Sequence, residues 1–147
     1  MSVFKQELSV SGQPMKRLFP IGADDTYSAW SAGGSWVMIA ADTLSYEAVI
    51  AALEQGDFYM SCGPEITELT MEDGVVTVCC SKAVTVNLET PDRFARRAEC
   101  DGEPLCRATF DIRDYLETAK DDAYFYVTVT AANDTYAVTR PYYINEK

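Results

Sequence analysis

Residues 64–147 consist of short runs rich in β-branched and aromatic residues, separated by turn residues, and this pattern restricts the fold strongly. The runs span residues 65–71, 75–80, 83–89, 94–100, 105–112, 123–131 and 136–144. Glu72-Asp73-Gly74 and Asp101-Gly102-Glu103-Pro104 are both typical of hairpin turns. About seven strands at these intervals predict an antiparallel, immunoglobulin-like β-sandwich. We also expect one helical turn within residues 113–120.

Residues 1–63 have a different pattern, in which apolar strands alternate with a helix. In order, we predict a buried strand with an internal proline, a second buried strand, an amphipathic helix and a short apolar stretch: residues 17–23, 36–41, 45–55 and 58–60. Ser45 is a suitable N-cap, and Gly56 suits the position after the helix. Because these elements are too few for a closed barrel or a covered parallel sheet, they predict a partial α/β segment. We therefore expect an α+β chain with domains at 1–63 and 64–147.

The chain carries a net charge of -11 and has a pI near 4.3, which argues against binding to nucleic acids or to anionic membranes. No apolar run approaches the roughly 20 residues of a membrane-spanning helix. The first residues include Lys5 and Glu7 and lack an apolar central region, so they do not resemble a signal peptide. The five cysteines lack CxxC spacing, and we expect reduced thiols and a cytoplasmic location. Cys100 and Cys106 flank a predicted turn and could bond across it, although a reducing compartment does not favour that bond.

The chain contains no histidine, which limits the chemistry that it can support. A hydrolytic site with two or three metal ions needs several converging carboxylate and imidazole ligands. Asp24 and Asp25 follow the first apolar strand, where α/β enzymes commonly place chemistry. Two carboxylates predict at most a weak calcium or magnesium site, and the alternative is a polar turn with an Asx-type hydrogen bond. We expect no resident cofactor and no catalytic residue in the isolated chain.

Two further groups of side chains each allow two interpretations. Five tyrosines near the last strands form either cross-strand pairs and core or a groove for a carbohydrate or peptide: Tyr124, Tyr126, Tyr136, Tyr142 and Tyr143. Three arginines form a small basic cluster that either is solvated or pairs with carboxylates of the same surface or of a partner: Arg93, Arg96 and Arg97.

The most distinctive stretches are GADDTYS at 22–28, GGSWVMIA at 33–40 and AALEQGDFYMSCGPEI at 51–66. The first resembles the last metal-ligand motif of the PHP (polymerase and histidinol phosphatase) family of metal-dependent phosphoesterases, in which a strand ends in Asp-Asp-x-His or Asp-x-His. The other two are similar to the segments that follow in many members, and in some members a β-sandwich comes next. The resemblance implies that the N-terminal segment is a remnant of the family's barrel. Of the family's ligands only Asp25 is carried over, and Tyr27 stands in place of the ligand histidine.

The resemblance implies a non-catalytic, C-terminal accessory module of a PHP-like phosphoesterase that docks with a catalytic partner or self-associates. One alternative is a subunit or fragment of a metal-dependent phosphoesterase whose other ligands lie on another chain or on missing residues. A second alternative is a β-sandwich that binds a small ligand or carbohydrate through its tyrosine-rich strands. Because an incomplete barrel edge exposes apolar surface, we expect self-association or docking.

Overall fold

The computed structural model describes residues 18–144, which contain ten strands and two helices. In chain order the elements are β1 (Trp36–Ile39), α1 (Tyr46–Gln55), β2 (Phe58–Ser61), β3 (Ile66–Glu72), β4 (Val75–Ala83), β5 (Thr85–Glu89), β6 (Ala95–Glu99), β7 (Leu105–Asp111), α2 (Arg113–Thr118), β8 (Tyr124–Thr130), β9 (Tyr136–Thr139) and β10 (Tyr142–Tyr143). Every strand pair is antiparallel, and the described residues form no barrel. The structure is therefore a β-rich α+β fold, as the sequence predicts at this level.

The strands form two sheets that share one hydrophobic core. The larger sheet has the order β1-β2-β9-β8-β5-β6, with β10 paired to β8, and the smaller sheet has the order β3-β4-β7. Alternate residues of β4, β5 and β8 are buried, and Val76, Leu88 and Val127 of these strands belong to the same hydrophobic cluster. Since successive side chains of a strand point to opposite faces, this alternation directs one face of each sheet into the core.

The two predicted hairpin turns have different outcomes. The turn at 72–74 is confirmed: it joins β3 to β4, and Asp73 and Gly74 have φ of 48° and 75°, the positive values that a two-residue hairpin turn requires. The hairpin predicted at 101–104 is wrong, because β6 pairs with β5 in the larger sheet and β7 pairs with β4 in the smaller one. Residues 101–104 instead carry the chain from one sheet to the other, and Cys100 and Cys106 on either side of them are free thiols.

The strand–helix–strand order near the N-terminus does not form a parallel unit. β1 and β2 pair antiparallel, with Trp36 opposite Ser61, and β2 also pairs with β9 of the sandwich. The α/β interpretation is wrong here because β2 takes its place beside β9, and both of its neighbours run in the opposite direction. The domain boundary between residues 63 and 64 stays a prediction, and hydrogen bonds between β2 and β9 cross it. Residues 1–17 of the predicted first domain lie outside the described residues.

Both predicted N-terminal strands are less buried than expected. Residues 18–23 form no strand, and Leu18 and Ile21 are 45% and 70% exposed. Pro20 lacks the amide hydrogen that a ladder position needs, which is consistent with the missing strand. β1 confirms the second strand over 36–39, but it is the half-buried edge of the larger sheet rather than a buried strand.

The predicted ends of α1 are confirmed. The Ser45 hydroxyl accepts a hydrogen bond from the Ala48 amide at 3.2 Å, and Gly56 has a left-handed φ of 77°. The predicted helical turn after residue 112 is also present, as α2. No helix of residues 18–144 is long and apolar enough to cross a membrane.

Candidate functional site

Residues 18–57, which we call the α1 segment, carry most of the exposed apolar side chains of the described chain. Seven of the nine large hydrophobic side chains that are exposed among residues 18–144 lie in this segment: Leu18, Ile21, Tyr27, Trp30, Met38, Leu44 and Tyr46. Trp30 and Leu44 are 98% and 99% exposed, and Ala52 is the only buried hydrophobic residue of the segment. Because large exposed apolar side chains often mark sites of protein contact, the α1 segment is a candidate for contact with another protein.

Close contacts hold the α1 segment to the edge of the larger sheet. The Phe19 ring packs on Gly56 and meets the Phe58 ring edge-on, with 5.9 Å between the centroids. Gly22 lies so close to β1 that an added Cβ would be 2.6 Å from the Trp36 carbonyl oxygen. Ala40 donates a backbone hydrogen bond to Asp57 at 2.8 Å, which joins the chain after β1 to the chain before β2. These contacts attach the segment that carries the exposed side chains to the edge of the larger sheet.

Asp24 closes the loop between residues 24 and 35. Its Oδ2 accepts a hydrogen bond from the Gly33 amide at 2.6 Å, its Oδ1 accepts one from the Ser35 amide, and the Thr26 hydroxyl donates at 3.4 Å. The Gly33 and Ser35 amides, which favour the charged carboxylate, lower the pKa of Asp24. These two amides follow Asp24 by 9 and 11 residues, so the bonds close a loop and do not form the Asx-type turn that the sequence offered as the alternative.

Asp25 and Tyr27 lie on the same loop and are exposed to solvent. Asp25 has a left-handed φ of 51°, and Tyr27 is 90% exposed. Within residues 18–144 no group of three or more His, Cys, Asp or Glu side chains is arranged to hold a metal ion. The structure therefore brings Asp24 together with backbone amides and leaves Asp25 on the surface, and a weak metal site at these two residues stays a prediction.

An open groove of about 670 Å³ lies beside α1. Small side chains make up most of its lining: Ala40, Ala41, Ala48, Ala51 and Ala52. Asp42 and Asp57 add two carboxylates to the lining. Because alanines leave room for close approach, the groove can accept a helix or a strand of another protein at short distance.

A second cavity, of about 420 Å³, was not predicted from the sequence. It lies where β1 and β2 meet the start of β3, and its lining includes Met38, Tyr59, Ile66, Arg140 and Tyr142. The Arg140 guanidinium lies 4.7 Å from the centre of the Tyr142 ring and 3.9 Å from Asp57 Oδ1. Burial raises the pKa of Tyr142 above its usual value. The sequence signal for this cavity is weak and consists of Arg140 and Tyr142, two residues apart after β9.

The tyrosine-rich strands mainly form ring pairs. Tyr142 stacks with Phe125 at 5.5 Å between centroids, and Tyr124 lies 5.3 Å from Tyr143. Tyr126 is half-buried, and burial together with the nearby Glu89 carboxylate raises its pKa to about 12. The interpretation as cross-strand pairs and core therefore describes these rings better than a tyrosine-lined groove.

The predicted arginine cluster is largely neutralised by carboxylates of the same surface. Arg96 forms an ion pair with Asp114 at 2.8 Å, and Arg97 pairs with Glu99 on the same strand. The Arg96 guanidinium also lies 4.1 Å from the centre of the Phe94 ring. Two of the three arginines of the predicted cluster, Arg96 and Arg97, therefore pair with carboxylates of the same surface.

Comparison of the chain with protein-family models, with curated proteins and with solved structures found no match. The relationship to the PHP family therefore depends on the residues at 22–28, 33–40 and 51–66 and stays a prediction.

Proposed function

We propose that the chain is a non-catalytic, cytoplasmic accessory module of a PHP-like phosphoesterase, and that it docks with its catalytic partner through the α1 segment. The observation that supports docking most directly is the concentration of seven exposed large hydrophobic side chains in this one segment. The sandwich has its own core between the two sheets, whereas the α1 segment has almost none. A partner surface supplies the apolar contacts that the segment lacks.

We further propose that β3 to β9 form an immunoglobulin-like sandwich. Two features of the strand order support this proposal. The first, second and fifth of these seven strands share the smaller sheet, and the third, sixth and seventh share the larger one. Immunoglobulin constant domains divide their strands in the same way, and only the fourth strand, β6, lies on the other sheet here.

The residues available for chemistry support a non-catalytic role. The chain has no histidine, and both carboxylate oxygens of Asp24 already accept hydrogen bonds from backbone amides. Tyr27 stands at the position of the family's ligand histidine and carries a phenol, whereas divalent ions are bound mainly by imidazole, carboxylate and thiolate groups.

One observation favours a second candidate function, a metal site completed by the partner. Asp25 is exposed on the same segment as the apolar side chains, so a docked partner would cover it. In that arrangement Asp25 contributes one ligand, and the partner contributes the others.

Binding to a PHP-domain protein encoded in the same genome tests the docking proposal. The double variant Trp30→Ser/Leu44→Ser removes two fully exposed apolar side chains of the α1 segment, and Met71→Ser/Tyr136→Ser removes two exposed ones from the sandwich. We expect the first variant to weaken binding at least about tenfold and the second to leave it unchanged. Equal binding by both variants and the unchanged chain would refute docking through this segment.

Hydrolysis of a generic phosphomonoester in the presence of Mn²⁺ or Mg²⁺ tests the non-catalytic proposal. We expect no activity from the isolated chain. Activity that depends on Asp25, shown by its loss in Asp25→Ala, would replace the accessory role with a catalytic one. Activity that appears only in the complex and is lost in Asp25→Ala would support the composite metal site.

A further inference from the structure

The α1 segment carries charge of one sign only. Residues 18–57 contain six acidic residues and no lysine or arginine, whereas residues 58–144 contain 15 acidic and 8 basic residues. Asp24 is bound by backbone amides, and Asp57 lies 3.9 Å from Arg140. The other four acidic residues are exposed or at the surface of the segment without an ion-pair partner among residues 18–144: Asp25, Asp42, Glu47 and Glu54. Counting Lys16 and Arg17, which directly precede the segment, still leaves a formal charge of about -4.

In the sandwich, some of the acidic side chains form ion pairs with arginines. Near the edge strands β6 and β7, Arg96 pairs with Asp114, and Arg113 pairs with Asp111. The hydrogen bond and charge of Arg113 lower the pKa of Asp111 to about 2. Three carboxylates of the sandwich, those of Glu99, Asp111 and Asp114, thus form ion pairs, whereas the four exposed acidic residues of the α1 segment form none among residues 18–144.

The distribution of charge favours one of the two partners that could cover the exposed apolar surface, which are a second copy of the chain and a different protein. A second copy that docks by the same surface brings its unpaired carboxylates near those of the first copy, and like charges across an interface oppose association. A partner with lysines and arginines around an apolar centre is favoured both by apolar contacts and by the attraction between opposite charges. The alanine-lined groove beside α1, with Asp42 and Asp57 in its lining, fits a narrow element such as a helix.

We propose that the α1 segment binds an amphipathic helix of another protein whose apolar side is flanked by lysine and arginine, and that it does not pair with a second copy. This inference rests on the proposed docking function and names the chemistry of the partner. The apolar side of the helix contacts the exposed hydrophobic side chains and the groove, and its cations meet the unpaired carboxylates.

Two model peptides of about 15 residues test this chemistry, both helical, one with leucine and lysine faces and the other with leucine and glutamate faces. Binding is measured by isothermal titration calorimetry at about 50 and 300 mM NaCl, because screening weakens attraction between exposed charges. We expect the lysine peptide to bind, more weakly at higher salt, and to protect α1 from hydrogen exchange. We expect no binding of the glutamate peptide.

Matched variants separate a local surface from the acidity of the whole chain. Asp42→Asn/Glu47→Gln/Glu54→Gln neutralises the α1 segment, and Glu103→Gln/Asp121→Asn/Asp122→Asn neutralises three exposed acidic residues of the sandwich. Both variants change the net charge equally. We expect the first to weaken binding of the lysine peptide at least about tenfold and the second less than about twofold. Equal weakening by both would overturn the inference, as would binding of both peptides with the same affinity.

Sedimentation velocity separates failure of this inference from failure of the docking function. A monomer of the unchanged chain supports the inference. A dimer that Trp30→Ser/Leu44→Ser dissociates overturns the basic-partner inference and leaves docking through the α1 segment intact. Absence of peptide binding, together with unchanged binding of the PHP-domain protein by Trp30→Ser/Leu44→Ser, would overturn both.

Discussion

Gly56 is the position where one added methyl group most directly tests how the α1 segment is held. Its φ of 77° is left-handed, which costs an L-residue about 1–2 kcal/mol. A Cβ at this position would also overlap the Phe19 ring. The half-buried ring moves away rather than the backbone, so the added cost is the edge-on contact with Phe58, about 0.5–1.5 kcal/mol. We therefore expect Gly56→Ala to lower the free energy of unfolding by about 1.5–3.5 kcal/mol in total.

Urea unfolding measures this loss, and the chain contains a suitable probe. Both of its tryptophans, Trp30 and Trp36, lie in the α1 segment, so fluorescence reports on the segment while far-ultraviolet circular dichroism reports on the sandwich. Gly102→Ala is the matched control, because Gly102 has φ of 85° and nothing within 4 Å of an added Cβ. In a Phe19→Ala background, Gly56→Ala should cost only the backbone part, about 1–2 kcal/mol. The reasoning is refuted if Gly56→Ala costs no more than Gly102→Ala, or if its cost is the same with and without the Phe19 ring.

Three other predictions address the loop, the core and a buried phenol. Backbone amides lower the pKa of Asp24 from 3.8, so its carboxylate stabilises the loop above that pH and loses this effect as the pH falls through the lowered pKa. Relative to a neutral reference peptide, the protection of the two donor amides from exchange should decrease as the pH falls, and it should be lower at every pH in Asp24→Asn. Protection that does not depend on pH would contradict this. Leu88→Ala should lower the free energy of unfolding by about 2–5 kcal/mol because Leu88 is 0% exposed, whereas Leu44→Ala at 99% exposure should change it by less than about 0.5 kcal/mol; similar urea midpoints for both would be inconsistent with the burial. In an ultraviolet titration, the unchanged chain should show one phenol with a pKa of about 12 that Tyr126→Phe lacks. The prediction is wrong if the phenol that Tyr126→Phe lacks has a pKa near 10.0.

The strands of the sandwich were predictable because their signals are local. β4, β5 and β8 alternate buried and half-buried residues over most of their length. Their sequences are rich in β-branched and aromatic residues, and apolar and polar residues alternate clearly in Thr85–Glu89. Turn chemistry fixed the hairpin between β3 and β4 for the same reason. The sheet change at 101–104 was not predictable from the turn, since a glycine with positive φ serves a hairpin and a crossover equally well. The position of β7 depends on Ala108 and Phe110 filling the core beside β4, which is a contact between distant residues.

The candidate site was predictable only in part. An apolar run such as 18–23 is normally buried, and nothing in the run itself distinguishes a core strand from a segment that remains exposed. Asp24 was recognised as a polar residue of interest, but its partners Gly33 and Ser35 follow 9 and 11 residues later, beyond the reach of a short turn motif. The acidic residues of the α1 segment, and its lack of lysine and arginine, are visible in the sequence. They indicate a binding surface only when the structure shows that the segment is exposed.

The position of β2 between β1 and β9 has a mechanical consequence. A flexible linker would let the sandwich turn freely relative to anything attached to α1, whereas a shared sheet fixes the angle between them. From β1 to β6 the larger sheet has five strand spacings, which at about 4.8 Å each amount to about 24 Å. A protein bound at α1 would therefore keep a fixed orientation relative to the sandwich. The β6 edge would lie at a fixed distance and direction from that protein.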